Sequence, residues 1–379
     1  MYLIYILHFI FYSILITTNR LLGQEVDGDF HYELAKTGSN PDVHVVALVD
    51  RCPGYSSTMD DWSNSRLYYV NEGDYPDNTQ STYWVNATGS DEVNMADPKT
   101  LQWFIKTVQI NFPSDNLYLS LWDHNWGWHS GWFQKDETSN KDTMDYPTLF
   151  ETLSGDTSLS NIALLGYDAC VASQIEVIHT WRPFASSFVG SQDYVGYGGV
   201  NYDSVISAIR SNPSITPQNL SIVVGKSMLT DPTDKCASSF DMNKHFDNIV
   251  ASVDKLSLLF IKYLDAPYNI RSTLIGIRDS TPQTPHFPAD EFHRDLYGVA
   301  MGASLQLTDY PDIVDASRDI MKYFNSSLVY NEVLPGAFSC KGGRGMTIYW
   351  TKSGDRPEAA YFQTSFGKAT HWDEFLAIF

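Results

Sequence analysis

Short, almost unbroken apolar runs alternate with amphipathic stretches along the first part of this 379-residue chain. VHVVALVD (43–50), NLYLSLWD (116–123), NIALLGYDAC (161–170) and SFVGSQ (187–192) are such runs. Their length and β-branched content predict strands buried on both faces. LYYVNEG (67–73) and STYWVNAT (81–88) predict two more strands around a polar turn. DPKTLQWFIKTVQINF starts a helix with Asp97 as cap and Pro98 at the first helical position. It places Leu101, Phe104, Ile105 and Val108 on one face. YPTLFETLSG (146–155), VASQIEVIHTW (171–181), YDSVISAIR (202–210) and TPQNLSIVVGKSML (216–229) predict further helices. Apolar strands separated by helices imply an α/β fold, with a mostly parallel sheet covered on both faces.

The pattern changes past residue 231. Amphipathic helices are predicted over 245–264, 290–307 and 311–324, then a strand RGMTIYWT (344–351) and a last helix after His371. The chain therefore divides into a core, 43–230, and a mainly helical C-terminal subdomain, 231–379, of the same unit. The N-terminus is apolar from Tyr2 to Ile16. That is short for a membrane span and long enough for a secretory h-region, so residues 1–23 are expected to be a signal peptide, with an uncleaved anchor as the alternative. Residues 24–42 read as a leader, or a small pro-segment. No later segment is apolar enough to cross a bilayer, so the mature form is expected in the secretory lumen or outside the cell, off the membrane.

Composition narrows the partners. The chain is 43% hydrophobic, enough for a large core, and carries 25 Lys and Arg against 45 Asp and Glu, a net charge of −20. Such a surface repels nucleic acid and anionic lipid. Asn86, Asn219 and Asn325 head glycan acceptor triplets. Four cysteines (Cys52, Cys170, Cys236, Cys340) are too few for a disulfide scaffold, and spacing leaves their pairing open.

The chemistry gathers at two strand ends, where open α/β sheets bind ligands. One run ends in LWDHNWGWHSGW (121–132), which holds four of the ten tryptophans. The other ends in Asp168-Ala169-Cys170, with a helix expected to begin at once. A thiol at a helix N-terminus is biased toward the thiolate, and a histidine on the neighbouring strand end can serve as general acid and base. Asp123, His124 and His129 do not make a zinc set, and no acidic loop has calcium spacing, so no metal and no other cofactor is expected.

Strand-His and strand-Asp-Ala-Cys resemble the caspase-like cysteine peptidases, and within them the clostripain family. WDHNWGW (122–128), YDACVASQIEV (167–177), GSQDYVGYGGVNYD (190–203), MTIYW (346–350) and HWDEFLAIF (371–379) carry the likeness, which runs from about Val43 to Phe379. The resemblance implies Cys170 as nucleophile, His124 as general acid/base, and the amides of Asn125 and Cys170 as oxyanion donors. It implies protein or peptide substrates cut after Arg or Lys, with Asp168 as the pocket acid. Asp193 joins Asp168 as a candidate by position only. Lys135 and Lys141, in the polar insert KDETSNKDTMDY (135–146), correspond in placement to the family's self-processing segment. Calcium-activated members exist in the family, and the chain is expected to be a monomer. Asn125 departs from the glycine the family places after the histidine. Its side chain could crowd the substrate, leaving a catalytically silent binding protein as the alternative reading.

Overall fold

The computed structural model describes residues 10–17, 29–50, 64–74, 92–129, 136, 139–140, 142–156, 159, 162–196, 198–230, 236–283, 292–335 and 340–379. The expected strand at 81–88, the acceptor Asn86, Cys52, Lys135 and Lys141 lie outside the described residues.

An eight-stranded sheet runs through the molecule in the order β3-β2-β1-β4-β5-β6-β7-β9. Its strands are β1 (Ile10–Thr17), β2 (Val43–Asp50), β3 (Arg66–Tyr69), β4 (Asn116–Trp122), β5 (Ile162–Asp168), β6 (Ser187–Gly190), β7 (Cys236–Asp241) and β9 (Leu328–Val333). β2, β1, β4, β5 and β6 pair in parallel, while β3, β7 and β9 join antiparallel at the two flanks. A separate antiparallel pair joins β8 (His293–Asp295) to β10 (Thr347–Tyr349).

Eleven helices are used below: α1 (Pro98–Asn111), α2 (Tyr146–Ser154), α3 (Ile175–Trp181), α4 (Tyr202–Ser211), α5 (Pro217–Ser227), α6 (Phe246–Tyr263), α7 (Arg271–Ser280), α8 (Leu296–Gln306), α9 (Pro311–Ser327), α10 (Ser365–Ala369) and α11 (Trp372–Ile378). Side chains alternate across the sheet as the pleat requires. Val46 and Leu48 of β2 and Leu117, Leu119 and Leu121 of β4 face the core lined by α1, α2, α3 and the C-terminal helices. Val45, Ala47 and Val49, with Tyr118 and Trp122, face the core lined by α4 and α5. A strand buried on both sides must be apolar at every position, which is why these runs are unbroken.

Three findings bear on the expectations. First, Ile10–Thr17, within the run expected to be a signal peptide, form β1, hydrogen-bonded between β2 and β4, with Ile10 opposite both Val43 and Asn116. An unbroken apolar run satisfies an h-region and a doubly buried strand equally well, so the pattern could not separate them. Without β1, strands β2 and β4 would stand two strand spacings apart, about 10 Å, and would have to close to pair. Second, the helix expected over 290–307 begins only at Leu296. The preceding residues form β8, and Asp295 caps the helix by accepting from Gly298 N at 2.7 Å. Third, the described part of the expected leader, from residue 29 on, is folded against the core. Asp29–Leu34 form a π-helical turn that continues as Ala35–Thr37, and Phe30, Leu34 and Ala35 are fully buried in the second core.

The 43–230 and 231–379 parts share one sheet, because β7 and β9 extend it beyond β6. Among the described residues, Cys236 and Cys340 form a disulfide that ties β7 to the segment before β10, and Cys170 is a free thiol.

Candidate active site

Trp122, the last residue of β4, is the register partner of Asp168, the last residue of β5. His124 and Cys170 each stand two residues beyond that pair, so adjacent parallel strands deliver both to the same carboxyl edge of the sheet. The two residues the sequence singled out thus follow adjacent, paired strand ends.

The helix after Cys170 does not begin at once. Cys170 lies in a turn, and α3 starts at Ile175. The chain reverses at Val171, which takes φ +54°, a conformation a β-branched residue rarely adopts. That backbone is held by main-chain bonds to the segment after β6: Val171 N donates to Asp193 O and Ser173 N to Ser191 O, both at 2.9 Å. Cys170 is half-buried, and Val195 N donates to its Sγ at 3.4 Å. Burial, with Asp193 and Asp168 nearby, pushes the thiol up to about 11 against the help of the Val195 amide. That burial opposes the bias toward the thiolate expected of a helix N-terminus and favours the protonated thiol. Burial also lowers the His124 imidazole below the usual histidine range, which favours its neutral form.

The loop after β4 is positioned by side chains. Asn125 is buried, and its Oδ1 accepts from Gly127 N (3.2 Å) and from the Tyr146 hydroxyl (3.4 Å). It does not occupy the left-handed region; Gly127 does, at φ +81°. A Cβ at Gly127 would meet the Gln174 side chain at 2.2 Å, so the glycine this loop needs sits at 127. Asn125 is buried and braces the loop. Gln174, buried just before α3, accepts from Trp128 N at 3.0 Å and thereby ties the histidine loop to the cysteine loop. Sequence reasoning missed Gln174; its only signal was a polar residue inside an otherwise apolar motif.

The tryptophans divide their roles. Trp122 and Trp128 are core, the latter edge-on to Tyr349 and Tyr361. Trp126 is half-buried and meets Tyr194 edge-on at 6.1 Å, which makes it the groove-wall candidate. Trp132 lies outside the described residues.

Asp168 is buried, with Oδ2 accepting from Val200 N (2.9 Å) and the Tyr202 hydroxyl (2.8 Å). A Cβ on Gly199, at φ +49°, would come within 2.6 Å of Asp168 Oδ1, so the turn approaches the acid as only glycine allows. Asp193 is fully buried beside the disulfide rather than solvated, and accepts from Tyr194 N at 2.7 Å. Asp136, the residue after Lys135, and Asp142, the residue after Lys141, form an antiparallel bridge, and the Asp136 carboxylate accepts from Met95 N (2.8 Å) and Ser139 N (2.9 Å).

Asp50, Glu92 and Asp136 bring three carboxylates within 4.8 Å, a cluster assembled from distant parts of the chain that no sequence spacing revealed. Burial and the two neighbours push Asp50 well above the usual carboxylate range. Asp136 also accepts from two amides and Asp50 from the Ser65 hydroxyl.

The C-terminal motifs buttress α3. Thr347 N donates to Ser173 O (3.0 Å), and Glu176 Oε1 accepts from Tyr349 N (2.9 Å) and the Tyr361 hydroxyl (3.0 Å). Burial raises Glu176 to about 7.

Comparison with known proteins identifies the family. The model of the clostripain family matches residues 31–378. Clostripain of Hathewaya histolytica is 23% identical over 90% of this chain and 74% of its own length. A secreted C11 cysteine protease of Bacteroides thetaiotaomicron, solved with an irreversible peptide inhibitor, superposes with TM-score 0.67 at 15% identity, covering 97% of this chain and 99% of that one. An inactive zymogen of a C11 protease from Parabacteroides distasonis gives TM-score 0.62 at 16% identity, covering 97% of each chain. With the family model covering nearly the whole chain, this protein belongs to the clostripain family of caspase-like cysteine peptidases.

Proposed function

We propose that the chain is a secreted endopeptidase that cuts after Arg or Lys through a Cys170/His124 dyad. The observation that supports the reading is the Trp122–Asp168 register pair, which His124 and Cys170 each follow by two residues at the sheet's carboxyl edge. Neutral His124 takes the proton of the Cys170 thiol as the sulfur attacks the peptide carbonyl. The amides of Asn125 and Cys170 receive the oxyanion. His124 then gives its proton to the departing amine, and water, deprotonated by the same imidazole, hydrolyses the thioester. A thiol near 11 suits this route, in which proton removal and attack occur together on a bound substrate. Asp168, fixed by the 199–202 turn, supports the basic preference, because a desolvated guanidinium needs a carboxylate.

The test is hydrolysis of peptides with Arg, Lys, Asn or Asp before the scissile bond. Wild type is expected to take Arg and Lys, Cys170→Ala to lose turnover by about 10³-fold or more, and Asp168→Asn to lose mainly the basic substrates. Turnover that survives Cys170→Ala would sink the dyad. Equal rates on all four peptides would sink the basic pocket.

A further inference from the structure

The turn that holds Asp168 is gripped from its other side by a residue of the expected leader. Glu33 Oε2 accepts from Tyr202 N at 2.7 Å, and its Oε1 accepts from Asn201 Nδ2 at 3.3 Å. Tyr202 therefore has its amide on Glu33 and its hydroxyl on Asp168, while Val200 N also donates to Asp168. Two carboxylates from distant parts of the chain thus bracket one short turn at the start of α4. The segment carrying Glu33 is firmly seated. Lys36 pairs with Asp203 at 2.6 Å, Thr37 Oγ1 donates to Asp203 at 2.5 Å, and Arg210 donates to the Thr37 carbonyl.

We propose that Glu33 is a positioning and specificity residue of the substrate pocket: through Tyr202 it fixes the turn that orients Asp168, and its charge adds to the pull on a cationic side chain. The inference rests on the basic-pocket reading above. It also gives the 29–40 segment a part in the working enzyme, so that excising residues up to 42 removes part of the pocket. The charged groups facing Glu33 are Lys36, Asp168 and Asp203, with Arg210 bound to the same segment. Burial, aided by Asp168 and Asp203 and opposed by Tyr202 N and Lys36, raises Glu33 to about 7. The pocket then holds more negative charge above neutrality than below it.

The experiment compares full-length wild type, Glu33→Gln and Tyr202→Phe on two peptides, one with Arg and one with norleucine before the scissile bond, from pH 5.5 to 8.5. For wild type, KM on the Arg peptide is expected to fall as pH rises through about 7. For Glu33→Gln at pH 8 it is expected to be about tenfold higher and flat with pH, the loss of one charge-assisted contact, while kcat changes less than KM. KM on norleucine should stay level throughout. Tyr202→Phe should raise KM on Arg and keep the pH dependence. Wild-type KM and pH dependence in Glu33→Gln would overturn the inference. If Glu33→Gln does not fold, Glu33→Asp, which withdraws the carboxylate by one methylene, replaces it, and unchanged KM there overturns it equally. Wild type that takes norleucine as readily as Arg would remove the basic-pocket reading and this inference together, a result visible before any variant is made.

Discussion

The two loops that carry His124 and Cys170 are built differently. The cysteine loop is held by its main chain: Val171 and Ser173 donate to Asp193 and Ser191, and Thr347 donates back to Ser173. The histidine loop is held by side chains: Asn125 accepts from Gly127 and Tyr146, and Gln174 accepts from Trp128. Main-chain bonds survive most substitutions, whereas side-chain bonds vanish with one. The cysteine side therefore tolerates the strained φ of Val171, a cost of about 1–3 kcal/mol, because several backbone bonds over-determine it. The histidine side relocates its special conformation to a glycine, Gly127, and depends on two amide side chains to keep it there.

That contrast can be broken by point changes. Buried Glu176 tests it in the region shared by both loops, and with the largest expected effect on stability. Its folded value, about 7, lies above the unfolded one, near 4.5. The protonated form is thus favoured in the folded state. Stability is full below about pH 4.5 and is lost as pH rises through 7. Glu176→Gln keeps an acceptor for Tyr349 N and Tyr361 and carries no charge. It is expected to gain roughly 2–4 kcal/mol on wild type between pH 4.5 and 8.5, read by denaturant unfolding. A constant difference across that range would refute the assignment.

Gln174→Ala removes the acceptor of Trp128 N. A fall of about 10- to 100-fold in kcat/KM is expected, with roughly 1–3 kcal/mol of stability, since a buried amide is left unpaired. Unimpaired turnover would show that the histidine loop does not need its tie to α3. The smallest effect is expected from Asn125→Gly, which restores the family's glycine. Because Asn125 is buried, the change should lower stability by about 1–2 kcal/mol and leave activity equal or somewhat reduced. A several-fold rise in activity would mean that the side chain obstructs substrate after all.

The sequence by itself determined the sheet-and-helix alternation, the strands β2, β4, β5 and β6, the capped helices, and the place of one histidine and one cysteine just beyond strand ends. These are local or periodic signals: a doubly buried strand has to be apolar throughout, and a helix announces its cap and its stripe. The tertiary structure alone decided the rest. The pairing of Ile10–Thr17 between β2 and β4 was not legible, because an apolar run has the same pattern in an h-region and in a strand. The rise of the Cys170 thiol follows from burial and from acids that folding brings beside it, neither of which a strand-turn motif reports. Gln174 and Glu33 act through partners 46 and 169 positions away along the chain. One hydrogen bond between residues so far apart leaves no period or spacing to read, because it exists only once the chain has been brought together.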